Sequence, residues 1–335
     1  MHTILSSFIG IALSLLTVVL GNPSITAAEP PIVDLAFSKN ATQVVAISQS
    51  GITEYSWPEL EPIESTETLA ASETVRSYLQ TPQTIHFSRF HNQVAIAGGP
   101  AGEAGVCVCF SLPNWQLAAY HELHNDSVMA VQWADERTLL QASMDREISL
   151  ISNSESPLRL AGHSKGVTAL CTVNGEYVIS GGVDRTIRVW NLKTRRLERS
   201  LNHHAGAITS LAALPKSQNL PLIASASEDR TVRFWQPTIG RLVRFTQLSA
   251  EPLRIAWRTK KASDESSHLI AACDDGTVRL IDSQTAKIIK TINVGLPWIF
   301  SMAVHPTDDS IVLGGNSGQL IRVRMNSNES FPNKK

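Results

Sequence analysis

The sequence predicts an all-β chain built by repeating one four-stranded unit. Three observations carry this. First, an aspartate-led turn and strand recurs: Asp145 begins DREISLI, Asp184 begins DRTIRVW, Asp229 begins DRTVRFW and Asp275 begins DGTVRLI, at steps of 39, 45 and 46 residues. A period in this range accommodates four short strands and their turns. Second, apolar residues alternate with period two in short runs bounded by Gly, Asn, Asp and Ser, and no strong helical period stands outside the N-terminal leader. Third, 335 residues with 43% hydrophobic and 18% charged content suit a large packed core rather than disorder. Seven units can be traced. Radial packing buries sheet faces against neighbouring sheets and leaves few exposed edges, so the expected fold is a seven-bladed β-propeller of four-stranded antiparallel blades.

Taken in order, Ile4 to Leu20 is almost wholly apolar and uncharged. Small residues follow, with cleavage points after Gly21 (Val19 at −3) and after Ala28 (Thr26 at −3). This reads as a secretory signal peptide over 1–21 or 1–28, although the first lysine is Lys39 and the leader has only His2 and its amino group for charge. The alternative is an uncleaved anchor. The propeller then spans 22–324 and a polar tail spans 325–335.

Unit one takes strands from Ile32 to Ser38, Gln43 to Ser48 and Gly51 to Trp57, with Glu61 to Ser65 as its fourth. Unit two takes Thr84 to Phe90, Gln93 to Gly98, Gly105 to Ser111 and Gln116 to Tyr120. Unit three runs from Val128 to Leu160, and units four and five hold the sharpest copies of the motif. Unit six uses Leu253 to Ile292, with the polar run Lys260 to Ser267 as an exposed loop. Unit seven shows only three strands, from Ile299 to Arg324. Its fourth would come from Asn22 to Ala28, which favours cleavage after Gly21.

A net charge of −1 offers no electrostatic basis for binding nucleic acid or anionic membrane. Membrane contact is expected only through the leader if it stays uncleaved. Cys107, Cys109, Cys171 and Cys273 read as small buried hydrophobes. Cys107 and Cys109 stand two apart on a strand, share one face and do not readily bridge each other. No cofactor or metal is expected: His121 and His124 form HxxH without the helical HExxH spacing, and no cysteine pair lies nearby.

Gly162-His163, Ser180, Asp184 and Trp190 resemble a WD40 repeat of the G-protein β-subunit type, and the fifth unit repeats the set as His204, Ser225, Asp229 and Trp235. Unit three keeps His124 and Asp145, with Gln141 and Ile151 in place of the Ser and Trp. Unit six keeps Asp275 with Ala271 and Ile281 and has no histidine in its connecting loop. The resemblance implies that His, Ser, Asp and Trp form a hydrogen-bonded chain inside a blade. A hydrolase reading of the Ser, His and Asp is therefore set aside, because such residues lie within a blade and not around a cleft. The resemblance also implies a non-catalytic scaffold for protein–protein interaction, a monomeric propeller within a complex; the leader adds the expectation that it is exported to the periplasm or outside the cell, anchored in the membrane if the leader stays uncleaved. The alternative is a propeller enzyme or ligand-binding propeller with its site at the central channel. The predicted inner strands are mostly apolar, with Asp34, His86 and Arg89 as exceptions, which disfavours that alternative.

One surface feature stands out. Arg146, Arg185 and Arg230 each follow the turn aspartate in three consecutive units. In a propeller those turns share one face, so the three form an arc suited to an acidic partner, unless they are simply polar residues pointing into water.

Overall fold

Seven antiparallel sheets follow one another along the chain. They are seen in a computed structural model that describes residues 29–152, 155–215, 220–258 and 267–325. Blade 1 comprises Asp34–Phe37, Gln43–Ser48, Gly51–Ser56 and Pro62–Ile63, and blade 2 Pro82–Phe87, Gln93–Gly98, Gly105–Ser111 and Gln116–His124. Blade 3 comprises Val128–Trp133, Thr138–Ser143, Glu147–Ser152 and Glu155–Ala161. Blade 4 holds Val167–Val173, Tyr177–Gly182, Ile187–Asn191 and Arg196–Leu201. Blade 5 holds Ile208–Ala213, Ile223–Ser227, Thr231–Gln236 and Arg241–Gln247. Blade 6 holds Pro252–Trp257, His268–Cys273, Thr277–Asp282 and Ile288–Asn293, and blade 7 Ile299–Val304, Ser310–Gly315 and Leu320–Arg324. Within each blade the strands pair in sequence order. The seventh has three strands among the described residues. The leader, both cleavage points, the expected closing strand from Asn22 to Ala28, nearly all of the Lys260 to Ser267 loop and all of the tail but Met325 lie outside the described residues.

The first strand of every blade lies beside the first strand of the next, and that of blade 7 lies beside that of blade 1, so the seven close a ring. Side chains lace this ring to neighbouring backbone. Asp34 Oδ2 accepts from Ile85 N at 3.0 Å, Thr168 Oγ1 donates to Ile208 O at 2.5 Å, Thr209 Oγ1 to Pro252 O at 2.5 Å, and Ser301 Oγ to Ile32 O at 2.9 Å. These bonds satisfy polar groups where the ring's backbone would otherwise face an apolar seam. At the junction of blades 7 and 1, Trp57 stacks on His305 (centroids 5.0 Å apart), Phe37 meets both rings edge-on, and the Trp57 N–H donates to Asp308 Oδ2 at 3.1 Å. The guanidinium of Arg322 lies 4.5 Å from the Trp57 ring centroid.

Among the described residues two helical elements depart from the expected all-strand reading, the smaller being a single 3-10 turn at Pro237–Ile239. A helix, α1, spans Thr66–Leu79 between blades 1 and 2. The expected fourth strand of blade 1 is correspondingly reduced to Pro62–Ile63, and Ser65, placed at its end by the sequence reading, caps the helix instead. Its Oγ accepts from Thr68 N at 3.0 Å. The buried stripe of α1 is Thr68, Ala71, Ser72, Val75 and Leu79. Three of these five are small or polar, so the helical period barely registers in hydropathy. Ala71, Val75 and Leu79 join one core cluster with Val45 and Ile47 of blade 1 and with Val94, Val108 and Phe110 of blade 2. The helix thus welds two blades.

Its polar anchor is Glu54, buried in the seam. Glu54 Oε2 accepts from Thr68 Oγ1 at 3.0 Å and Oε1 from Trp115 Nε1 at 2.8 Å, so both oxygens are satisfied from outside blade 1. Trp115→Phe leaves Oε1 without its donor, and the expected loss in denaturant unfolding is about 1–3 kcal/mol. Ser65→Ala costs about 1 kcal/mol through the lost cap. A Trp115→Phe variant within a few tenths of wild type would contradict the anchor.

Candidate functional site

The turn between the second and third strands sets the geometry around each aspartate. In blade 4, Arg185 N donates to Gly182 O at 3.0 Å, and Thr186 N and Oγ1 both donate to Asp184 Oδ1, at 3.1 and 2.7 Å. The carboxylate then reaches across to the loop that enters the blade. His163 Nδ1 lies 3.0 Å from it and Ser164 N donates to it at 2.9 Å. On the far side of the ring, His163 Nε2 and Ser180 Oγ are 2.8 Å apart, and Trp190 Nε1 donates to Ser180 Oγ at 2.8 Å. An indole N–H can only donate and an ionised carboxylate can only accept. The two ends therefore fix the direction of the chain: Trp190 to Ser180, Ser180 to His163 Nε2, and His163 Nδ1–H to Asp184. Blade 5 repeats it, with His204 Nδ1 to Asp229 at 2.8 Å, His204 Nε2 to Ser225 at 2.7 Å and Trp235 Nε1 to Ser225 at 2.9 Å. His163, Ser180, Trp190, His204, Ser225 and Trp235 are all buried. With their rings and hydroxyls shut away from solvent and bonded to one another, they fasten the entering loop to the turn.

Two blades carry partial versions that the sequence reading left incomplete. In blade 3, His124 Nδ1 reaches Asp145 Oδ2 at 2.8 Å, and Nε2 reaches Ser149 Oγ at 2.9 Å. Ser149 lies opposite Gln141 in the pairing of the second and third strands. The hydroxyl missing at Gln141 is thus supplied from the neighbouring strand, and a search confined to the usual position overlooks it. In blade 6, Asp275 was expected to stand without its partners. Instead Arg279, buried on the third strand, donates from Nη2 to Asp275 Oδ2 at 2.8 Å and to Ser249 Oγ at 2.9 Å, and from Nη1 to Cys273 Sγ at 3.0 Å. A long guanidinium does the work of the absent histidine. The spacing Asp-x-x-x-Arg was visible in the sequence but also occurs at Arg188 and Arg233, so it did not mark this role.

Arg146, Arg185 and Arg230 are exposed and occupy the left-handed region, with φ of 80°, 66° and 61°. Blades 6 and 7 place Gly276 and Gly318 at the same turn position. Arg185 and Arg230 make no side-chain hydrogen bond or ion pair among the described residues; Arg146 Nε reaches only the adjacent Asp145 carbonyl, at 3.4 Å. The turns of all three blades open on the face that carries the histidine loops, because those loops bond to the turn aspartates.

The central channel is more polar than the sequence suggested. It encloses about 890 Å³ and is lined by Asp34, Thr84, His86, Arg89, Gln132, Thr168, Thr172 and Arg254, among others. Burial raises the Asp34 carboxyl above its ordinary value, against the pull of Arg254 and two backbone N–H groups. Burial, aided by Arg89, lowers His86 to about 4. All four cysteines are buried free thiols. Among the described residues no His, Cys, Asp or Glu cluster has the form of a metal site, and no helix is long and apolar enough to cross a membrane.

Removing the hydroxyl that joins two members of the chain tests it directly. Ser180→Ala strands the Trp190 N–H and His163 Nε2, and the expected cost is about 1–3 kcal/mol. Combined with Trp190→Phe, the loss should fall short of the sum of the single losses, since one interaction is removed twice. Acid gives a second test. Burial lowers His163 and His204, so folding favours the neutral rings. That contribution is whole above about pH 6.5 and is lost as pH falls through the depressed values. Burial alone would raise the turn carboxyls, but hydrogen bonds from histidine, threonine and backbone N–H groups overcome it. Asp145 and Asp184 are lowered, and Asp229 falls to about 2. Their contribution is lost as pH drops below about 4. The denaturation midpoint should stay flat down to about pH 6.5 and then decline in two stages. A midpoint that rises on acidification would contradict this assignment.

Comparison with known proteins bears on the same segments. The family described as WD domain, G-beta repeat, matches residues 154–191 and 195–236. Each match takes the outer strand of one blade with the three inner strands of the next, which is how neighbouring sheets are interlocked. The chain is 28% identical over 131 residues to THO complex subunit 3 of Arabidopsis thaliana, covering 38% of this chain and 39% of that protein. It is 30% identical over 113 residues to anaphase-promoting complex subunit cdc20 of Dictyostelium discoideum, covering 32% of this chain and 23% of the other. Telomerase protein component 1 of Rattus norvegicus is 23% identical over 312 residues, covering 88% of this chain and 11% of that protein. The chain thus spans well under half the length of these relatives. The matched repeats and the two full His–Ser–Asp–Trp sets mark WD40 repeats over residues 154–191 and 195–236 of a closed seven-bladed β-propeller.

Proposed function

We propose that this propeller is a non-catalytic scaffold that recognises a protein partner through the face bearing Arg146, Arg185 and Arg230, and that it works in an exported complex. The observation that carries the reading is the state of these arginines. Three neighbouring blades hold an exposed cation where two other blades hold glycine, and two of the three have no internal partner. A guanidinium with free donors suits carboxylates, which it binds bidentately. A non-glycine residue at positive φ costs of order 1 kcal/mol, so the side chains sit there against a backbone preference. The printed names of two relatives describe subunits of complexes, which accords with a scaffold role. Export rests on the apolar leader from Ile4 to Leu20 and the small residues about a cleavage point after Gly21.

The test replaces all three arginines by glycine, which the turns of blades 6 and 7 already accommodate. The unfolding midpoint should hold or rise slightly, while crosslinking and mass spectrometry of the cell-surface or periplasmic fraction should lose the acidic partner found with wild type. An unchanged partner set at unchanged stability would dispose of the arginine face. A mature N-terminus at Glu29 would sink the proposal that Asn22 to Ala28 supplies the fourth strand of blade 7, and retention of the whole chain in the cytoplasm would remove export.

A further inference from the structure

The wall of the central channel breaks its own pattern at one point. The first strands of blades 2 to 7 each shift register by one residue near their start. The residues just past the shift are Thr84, Ala130, Ala169, Ser210, Arg254 and Ser301. All but one are small, and blade 6 alone carries a guanidinium there. Thr84, Ala130, Ala169 and Ser210 line the channel together with Arg254. Their small side chains leave the space into which Arg254 projects, half-buried.

Arg254 commits one nitrogen, donating from Nη1 to the carbonyl of its neighbour Leu253 at 3.0 Å. Its Nε and Nη2 meet no acceptor among the described residues, yet neither is sealed in the wall, so both are open to the channel. A permanent charge in an enclosed site is costly without a counter-charge. Asp34 feels the charge of Arg254 but forms no ion pair with it among the described residues. Its oxygens are turned to the N–H groups of Leu35 and Ile85, each at 3.0 Å, and burial favours its neutral form. Asp135, at the rim, is likewise turned to backbone, accepting from Arg137 N at 2.7 Å and Thr138 N at 2.8 Å. Arg89 is exposed at the same rim and makes no side-chain hydrogen bond or ion pair among the described residues. The guanidiniums of the channel thus keep unused donors, while both of these carboxylates are engaged by the main chain.

Blades 2 and 3 stand opposite blade 6, three places away on either side of the ring. They bring His86 and Gln132 to the channel. Gln132 uses only its Nε2, which reaches Thr172 Oγ1 at 3.4 Å. Burial lowers His86 to about 4, so its ring is neutral near pH 7, and its Nε2 takes no bond among the described residues. One wall therefore offers a cation with open donors and the other offers neutral polar groups. The space between them, about 890 Å³, lies within the range of small-molecule sites, roughly 300–1,000 Å³. We propose that the central channel binds a small hydroxylated carboxylate, its carboxylate accepting from Nε and Nη2 of Arg254 and its hydroxyls meeting Gln132 and His86 on the opposite wall. Arg89, in the loop that joins the first and second strands of blade 2, places a second positive charge at the mouth and draws anions toward it. That mouth opens on the face opposite the arginine turns, so filling the channel and docking a partner on the other face do not exclude one another.

Glucuronate serves as the probe, with glucuronamide and glucose as neutral analogues of nearly the same shape, and titration calorimetry as the readout. Glucuronate should bind saturably at one site and about tenfold or more tightly than either analogue. Arg254→Gln should lose about the same factor. The triple replacement of Arg146, Arg185 and Arg230 by glycine should bind glucuronate as wild type does, since those side chains lie on the other face. Absence of saturable binding, equal binding of acid and amide, full binding in Arg254→Gln, or loss of binding in the triple variant would each overturn the inference. The comparison of acid with amide uses wild-type protein and the triple variant leaves the channel untouched, so together they decide the matter even if Arg254→Gln fails to fold.

Discussion

Four consecutive blades, 3 to 6, depend on how each satisfies a carboxylate placed in its second turn. An ionised aspartate in a partly buried turn needs several donors at once, or its desolvation goes uncompensated. Asp184 and Asp229 collect a histidine ring, a threonine hydroxyl and two backbone N–H groups each. By doing so they draw the incoming loop onto the turn and fix the order in which one blade meets the next. Asp145 reaches the same end with Ser149 in the relay, and Asp275 with Arg279. Within these four blades the donors vary, but the requirement to satisfy the charge does not.

Elsewhere the ring is held by other means. Between blades 1 and 2 the buried charge is Glu54, and its donors come from α1 and from Trp115. Between blades 7 and 1 the contact is mainly aromatic, with His305 between Phe37 and Trp57. His305 Nε2 faces the Ala41 carbonyl at 3.2 Å, while its Nδ1 accepts from Thr307 N and Asp308 N at 3.2 and 3.0 Å. Nδ1 also lies 3.1 Å from Asp308 Oδ1, so both ring nitrogens are partnered and the imidazole stacks without an unsatisfied atom. Polar satisfaction and ring packing are solved together at both junctions.

The repeat period, the strand rhythm and the two full sets of motif residues were legible because each depends on local sequence: a turn that needs Asp, a strand that alternates, a fixed offset to Trp. The helix was not, since its buried stripe is largely Ala, Ser and Thr and its stability comes from the blades it joins. Ser149 and Arg279 were not, because a register pairing or a long side chain brings them to the aspartate from places the motif does not name. The channel wall escaped in part for a similar reason. Thr84, Gln132, Thr168 and Arg254 lie on strands rich in apolar residues, and only closure of the ring turns them toward a common axis.

The left-handed turns at Arg146, Arg185 and Arg230 have an entropic side. Each backbone is pinned by the bond from the arginine N–H to the carbonyl three residues earlier, at 3.2, 3.0 and 3.0 Å. The direction in which each side chain leaves the main chain is therefore settled before anything approaches. A group docking on this face orders no loop; it restrains only rotamers, roughly 1.5–2 kcal/mol for each arginine. The surface is set in its backbone and free in its side chains.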